Sequence, residues 1–302
     1  MSRFIQLLVF SLLLAMTASS ARAAIHVVAC EPEWAALAEE LGGDDVSVKS
    51  ATTALQDVHH IQARPSLIAM LRRADLLVCT GAGLEVGWLP LLQRRANNSR
   101  VQVGAKGYLE VSRSVNLLER PARIDRSEGD VHAQGNPHLQ LDPRNFLPIA
   151  TALTERLAEI DPGHKDDYQA RLEDFRTRWN AAIKQWQGRA APLKGMRTVV
   201  HHKGWAYLNH WLGLDEVGTL EPKPGVPPSS AHLSQLLAEL SQRPAQVIIR
   251  SPYQSDRASE WLAERTDIPA IVLPTTVGGD DEATNLFTLY DDIIQRLLAV
   301  QS

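Results

Sequence analysis

Only two cysteines, Cys30 and Cys79, occur among 302 residues, and no zinc finger or Cys-x-x-Cys site can be built from them. His-Glu-x-x-His is absent, which excludes a zincin centre. There is no Gly-x-Ser-x-Gly and no Cys/His nucleophile pattern, so the usual marks of acyl transfer are missing. The four methionines form no stripe. Net charge is only −4, with both signs interspersed and no basic patch, which argues against nucleic acid and anionic membrane surfaces as partners. Beyond the first residues no apolar run reaches the roughly 20 residues that span a bilayer.

What is present begins with an export signal. Arg3 supplies a positive charge, Phe4 to Met16 is almost wholly apolar, and Ala21-Arg22-Ala23 places small residues where a signal peptidase cuts. Residues 1–23 therefore read as a signal peptide removed before Ala24. The apolar run is too short for an anchor, and no cysteine near the cleavage point offers a lipid attachment site. The 44% hydrophobic content of the chain is that of an ordinary soluble globular protein. In an oxidising compartment Cys30 and Cys79 can pair. Each ends an apolar run, so the two thiols are close if those runs are neighbouring strands; two buried free thiols is the other reading.

Short β-branched runs alternate with amphipathic stretches. Strands are predicted at 25–30, 46–50, 75–79 and 100–103, then at 197–200, 215–219, 246–250 and 270–273. Helical patterns fall at 32–41, 65–73, 84–95, 231–241, 256–265 and 284–299. Such alternation implies parallel sheets with helices on both faces, in two α/β lobes of four strands each. Between the halves a long polar helix is predicted from about His164 to Gln187, with Tyr168, Leu172, Phe175, Trp179, Ile183 and Trp186 on one stripe. Its length of roughly 36 Å lets it brace both lobes; a single domain carrying an insertion fits the same pattern. The organisation expected is thus a signal peptide (1–23), an N-terminal lobe (24–160), a linking helix (161–190) and a C-terminal lobe (191–302). Residues 118–136 are charged and turn-rich and read as an exposed loop.

The chemistry lies in the histidines, ten in all. Three places put a His where a strand or loop gives way to a helix, and ligands of open α/β sheets bind beyond the carboxyl ends of the strands. These are Asp57-Val58-His59-His60 ahead of Pro65-Ser66, Asn136-Pro137-His138 ahead of Asp142-Pro143, and His201-His202-Lys203-Gly204-Trp205-Ala206-Tyr207. Neighbouring strand residues face opposite ways, so one His of each pair can address a common centre. Taken singly, each is more often a polar surface residue than a ligand. Together, three neutral imidazoles suit Zn²⁺, Cu²⁺ or Ni²⁺, and tetrahedral zinc then needs one more ligand, a carboxylate or water.

At these motifs the chain resembles the periplasmic metal-binding (substrate-binding) proteins of zinc and manganese ABC importers (ZnuA/TroA-like), and the likeness runs through nearly the whole mature chain. The family's His six residues before Pro-Ser maps to His59 rather than His60. Its Asn/His-Pro-His maps to His138. Its His followed by an aromatic at +3 and Tyr at +5 maps to His202 rather than His201. Thr219-Leu220-Glu221-Pro222-Lys223-Pro224-Gly225 and Leu273-Pro274 look like the zinc branch. The resemblance implies two lobes joined by one rigid helix, a metal held between them by His59, His138 and His202, and delivery to an ABC permease with its ATPase. It also implies a monomer in the periplasm and a small motion on binding. Zn²⁺ is favoured over Mn²⁺, because manganese-type members carry a carboxylate at the third position.

The chain departs from the family in two ways. The acidic ligand that many members place after the last strand is replaced here by Pro274-Thr275-Thr276, which leaves Asp280, Asp281 or water as the fourth ligand. The His-rich loop of several zinc members is reduced to His132, good for one transient contact. Asp57 and Glu221 are candidates to orient the rings, Asp142 structures its turn, and Trp205 and Tyr207 pack behind the third ligand.

The competing class is an exported zinc-dependent hydrolase, which also keeps three ligands and an open position. It requires a general base, and no motif commits a carboxylate to that role. A surface adhesin requires an anchor, and a chelate binder requires a wide basic or aromatic cleft. Binding without catalysis is the expectation.

Overall fold

Ile25–Ala29 (β1) is the first element of the structure, a computed structural model that describes residues 24–121, 129 and 132–301. The expected signal peptide lies outside the described residues. β1 pairs in parallel with Val46–Ser50 (β2) on one side and Leu76–Cys79 (β3) on the other, and Tyr108–Glu110 (β4) extends the sheet in the order β2-β1-β3-β4. The second half repeats the scheme. Arg197–Val200 (β5), Asp215–Thr219 (β6), Val247–Arg250 (β7) and Ala270–Val272 (β8) form a parallel sheet in the order β6-β5-β7-β8. The two-lobed α/β fold is the one expected. The apolar runs of β3 and β7 follow from burial of both sheet faces.

Most helices fall where the pattern places them: Pro32–Gly42 (α1), Pro65–Arg73 (α2), Ser230–Gln242 (α7), Arg257–Thr266 (α8) and Leu286–Ala299 (α9). Pro at the first turn of α1 and α2 costs no hydrogen bond there. Asn285 caps α9 in a reciprocal box with Thr288. Leu89–Ala96 (α3) starts five residues later than predicted, because Gly81, Ala82 and Gly83 all take positive φ and turn the chain first. Phe146–Ile160 (α4) and Ala206–Leu212 (α6) were not in the predicted set.

The fourth strand also moves. Residues 100–103 form a 3₁₀ turn and a bend instead, and Val103 is exposed. Asn98 fixes this corner by donating to the carbonyls of Leu71 and Ala74 and accepting from the Arg100 amide. Gly104, at φ 85°, then reverses the chain into β4.

Lys165–Arg189 (α5) is the linking helix, 25 residues long or about 37 Å. Tyr168, Leu172, Phe175, Trp179, Ile183 and Trp186 are its buried stripe, as the spacing required. Trp179 Nε1 donates to the Pro143 carbonyl at 2.8 Å, in the first half of the chain, and Trp186 Nε1 donates to Asp291 on α9 at 3.1 Å. Phe146, Phe175, Trp179, Trp186, Phe287 and Tyr290 pack ring against ring along it, Phe175 stacked on Trp179 and Trp186 and Phe287 edge-on to Trp179. One continuous apolar core therefore runs from β1 and α1 through α5 to α9. Such a seam resists wide hinge opening, since close-packed aromatics transmit strain rather than absorb it. No helix among the described residues is long and apolar enough to cross a membrane.

Candidate metal site

The two sheets share an order that reverses between their first and third strands, and a cleft outside the strand ends is expected at such a point. Cys30 N donates to Val78 O, and His201 N donates to Ile249 O, each at 2.8 Å, so the two residues hold corresponding places one step past β1 and β5. In the first lobe this place carries the disulfide Cys30–Cys79, with a Cα separation of 4.8 Å. The pairing left open by the sequence is therefore made. In the second lobe it leads to His202.

His59, His138 and His202 come together. Each offers one ligand atom, and these atoms lie within 4.8 Å of one another. Their ring centroids are 5.3, 5.5 and 5.7 Å apart, and all three are buried. Tetrahedral zinc with Zn–N bonds of about 2.0–2.1 Å needs nitrogens about 3.4 Å apart. A contraction of an ångström or so thus suffices.

Each ring is held from behind. Asp57 Oδ1 accepts from the His59 backbone at 3.0 Å and lies 2.8 Å from its Nδ1. Trp88 Nε1 pins the same loop by donating to Val58 O at 2.8 Å. Glu221 Oε2 lies 2.8 Å from His202 Nδ1 and accepts from Gly225 N at 2.9 Å. A carboxylate on Nδ1 fixes that proton there and turns the Nε2 lone pair inward. The Nε2 atoms of His59 and His138 are buried without a hydrogen-bond partner, a costly state unless something else occupies the lone pair. Burial pushes the His138 imidazole well below its ordinary pKa, and His59, His202 and His132 push it the same way. His138 is therefore neutral at pH 7, the form that coordinates. Burial raises the Asp57 carboxyl, but its hydrogen bonds and charge interaction with His59 outweigh this and leave it lowered, hence anionic.

His138 gains its position from the other lobe as well as its own. Its amide donates to Asn136 Oδ1 at 3.0 Å, and Asn136 Nδ2 reaches Glu119 Oε2 at 2.9 Å and Lys203 O at 3.2 Å. The Tyr207 hydroxyl on α6 donates to Asn136 O at 2.9 Å and accepts from Leu118 N at 3.0 Å. Trp205 and Tyr207 are buried, as expected of packing residues, but Tyr207 is also a tether. Gly204 brings bare backbone against two rings: a Cβ there would stand 3.3 Å from His138 Cδ2 and 3.4 Å from His202 Cδ2.

The expected aspartates do not reach the site. Asp280 accepts from the Glu282 and Ala283 amides at 3.0 and 2.8 Å and pairs with Arg296 at 2.9 Å, and Asp281 is exposed. The turn's own backbone and α9 claim the first carboxylate, and solvent claims the second. Asp142 caps its turn through Arg144, as predicted. His60 is exposed, and His201 is buried beside Glu221.

One feature escaped sequence reasoning, and a second was placed only loosely by it. Glu31 and Glu33, beside Thr275 and Thr276, line a cavity of about 40 Å³ that reaches His138 and His202, room for a water or two. Burial raises both carboxyls, Glu33 to about 7. His132 is the second: its ring lies 5.4 Å from that of His59. Burial, with His59 and His202 near, lowers it to about 4. No periodicity announces the two glutamates; His132 was expected to make a transient contact, and the folded chain sets it beside His59.

Residues 27–300 match the family model of the periplasmic zinc-uptake complex component A, ZnuA. The ZnuA high-affinity zinc uptake protein of Yersinia pestis is 24% identical over 226 residues, 70% of each chain. The manganese ABC transporter substrate-binding lipoprotein PsaA of Streptococcus mitis is 21% identical over 247 residues, 81% of this chain and 78% of that one. A ZnuA crystal structure superposes with a TM-score of 0.76 at 22% identity, covering 92% of this chain and 100% of that chain. A cadmium-bound periplasmic metal-binding protein from Candidatus Liberibacter asiaticus gives 0.73 at 16%, covering 91% and 99%. With the family model matched across residues 27–300, the chain belongs to the ZnuA family of periplasmic zinc-uptake components.

Proposed function

We propose that this protein captures a divalent transition metal in the periplasm and passes it to an ABC permease driven by its ATPase. His59, His138 and His202 are the ligands, and Zn²⁺ is the preferred cargo. The lobes are 24–160 and 191–302, bridged by 161–190, and the exported monomer loses residues 1–23. The observation that carries the reading is the convergence of three buried imidazoles from three separate loops within 4.8 Å. Two of them are backed by carboxylates. Three imidazoles without a carboxylate suit zinc better than manganese, a harder ion that favours oxygen. The protein works by binding and release, without turnover. Glu31 and Glu33, the carboxyls nearest the cavity, are buried and biased toward the neutral form, which is poor equipment for a general base facing a substrate.

Metal analysis of the mature chain, followed by competitive titration with zinc and manganese, tests this. One zinc per chain is expected, held at least tenfold more tightly than manganese. His59→Ala, His138→Ala and His202→Ala should each lose more than about 100-fold in zinc affinity, beyond the 10–100-fold typical of an outer partner, with folding retained. Wild-type affinity in any of the three removes that residue from the site; turnover of an ester or phosphate by the zinc form would revive the hydrolase.

A further inference from the structure

We propose that the processed amino terminus, Ala24-Ile25-His26, is a second metal site, which takes Cu²⁺ or Ni²⁺ in a plane of four nitrogens. This rests on the export reading, with cleavage before Ala24, and is independent of the histidine triad. Cleavage there leaves a free α-amine on Ala24 and an imidazole on the third residue, His26. The amine, the amide nitrogens of Ile25 and His26, and His26 Nδ1 then close three fused chelate rings around a single ion. A planar set of nitrogens is what Cu²⁺ and Ni²⁺ favour, and tetrahedral Zn²⁺ does not. For each ion that enters, three protons leave: one from the ammonium and one from each amide.

The fold holds this tripeptide lightly. Ala24 precedes β1. Ile25 and His26 pair with β2, opposite Val46 and Ser47, whereas the ladder to β3 starts at Val27. Burial starts at the same residue: Val27, Val28 and Ala29 are buried, Ile25 is half-buried and His26 is exposed. On the β3 side His26 is held by Asp75, whose amide donates to His26 O and whose Oδ2 accepts from His26 N, each at 2.8 Å. The anchored part of the strand thus begins one residue after the chelate ends. Binding gives up the His26 amide's bond to Asp75 and the first two pairs with β2; three pairs with β2 and three with β3 remain.

His26 borders an open hollow with Ser47, Lys49, Met70 and Arg73, so an ion reaches it from solvent. The two amide anions cancel the ion's double charge, and Lys49 and Arg73 therefore do not repel the complex. This end of β1 is the amino end of its sheet, whereas the triad lies beyond the carboxyl ends of the strands. Occupation of one site leaves the other free. Copper outranks zinc for nitrogen donors, and the terminus gives it a place other than the triad.

The test uses the exported chain, its first residue identified by intact mass, titrated with Ni²⁺. Square-planar nickel is low-spin, yellow and diamagnetic, whereas nickel held by the triad's imidazoles is paramagnetic. The wild type and His202→Ala should each form one equivalent of the yellow species. His26→Ala should form none. A chain with one Gly inserted ahead of Ala24 should lose it as well, because the imidazole then stands fourth from the amine while β1 is untouched. No yellow species in a chain that starts at Ala24 overturns the proposal. Its persistence at wild-type affinity in the Gly-extended chain does the same, as does a processed chain that starts elsewhere. Zinc uptake separates this site from the metal-capture reading, since His26→Ala should still take up one zinc per chain. A wild type with yellow nickel but no stoichiometric zinc sinks the capture reading and leaves the terminal site standing.

Discussion

Glu221 grips His202 from behind, its Oε2 2.8 Å from the ring Nδ1, and the same oxygen accepts from the Gly225 amide at 2.9 Å. The carboxylate is thus pinned by the turn at 221–225 before any ion arrives, and the ring inherits that fixity. Asp57 does the same for His59. Removing such an outer partner typically costs 10–100-fold in metal affinity. Glu221→Ala and Asp57→Ala should each weaken zinc binding by about that factor, measured by competition against a chromophoric chelator. Unchanged affinity would reduce these carboxylates to loop-capping groups.

Tyr207 joins the two lobes at the site. Its hydroxyl serves Asn136 O and Leu118 N together, and both belong to the segments framing His138. Tyr207→Phe keeps the packing but strands a donor and an acceptor. Each stranded group costs on the order of 1–3 kcal/mol if water does not reach it. The thermal midpoint should fall, and zinc should dissociate faster because His138 is less well held. A variant with wild-type stability and release rate would show that water replaces the hydroxyl at no cost.

The disulfide closes a loop of 49 residues between β1 and β3. Chain-entropy reasoning assigns such a loop up to about 4 kcal/mol. Cys30 and Cys79 lie at the ends of adjacent strands that are already paired, so part of that constraint is duplicated by the sheet. Denaturation with and without reductant should show a lower midpoint when reduced. In the oxidised chain, where neither sulfur is free to serve as a ligand, zinc stoichiometry should stay at one. Equal midpoints would mean that the unfolded chain gains nothing from the lost tether.

Much of this was legible because the physics involved is local. The strand runs, the stripe from Tyr168 to Trp186 and the three histidine loops announce themselves by period, punctuation and the Pro residues around them. The choice of His59 over His60 and His202 over His201 came instead from the resemblance to the importer family, whose motifs place a His ahead of Pro65-Ser66 and ahead of Trp205 and Tyr207. What the sequence hid depends on tertiary placement. Asp280 looks available until Arg296 is brought against it from α9. His132 looks like an isolated loop residue until the turn at 132–135 sets it over His59. Strand β4 was misplaced because Val101 and Val103 mimic a strand, whereas Asn98 and Gly104 bend the chain there.

Glu85 gives the metal-free protein a pH dependence of its own. Its carboxylate accepts from Gly81 N at 3.1 and 3.0 Å, yet burial dominates and raises it from the ordinary value near 4.5 to about 7. Burial, and then the Glu85 charge, also raise the neighbouring Glu31, and burial with the Glu85 charge raises the Tyr108 phenol. A carboxyl with a raised folded-state pKa binds its proton more tightly in the folded chain. The stability it contributes is therefore fully present below about pH 4.5 and is lost as the pH rises through 7. Glu85→Gln keeps an acceptor for Gly81 and cannot ionise. The variant should match the wild type near pH 4.5 and become progressively more stable than it up to pH 8, by as much as about 3 kcal/mol. Buried neutral histidines such as His138 pull the other way, gaining stability as the pH rises toward 6.5, but they are common to both proteins and cancel in the comparison. Denaturant midpoints of the two apo proteins across this range provide the check, and a difference that stays flat with pH would show that Glu85 does not titrate within it.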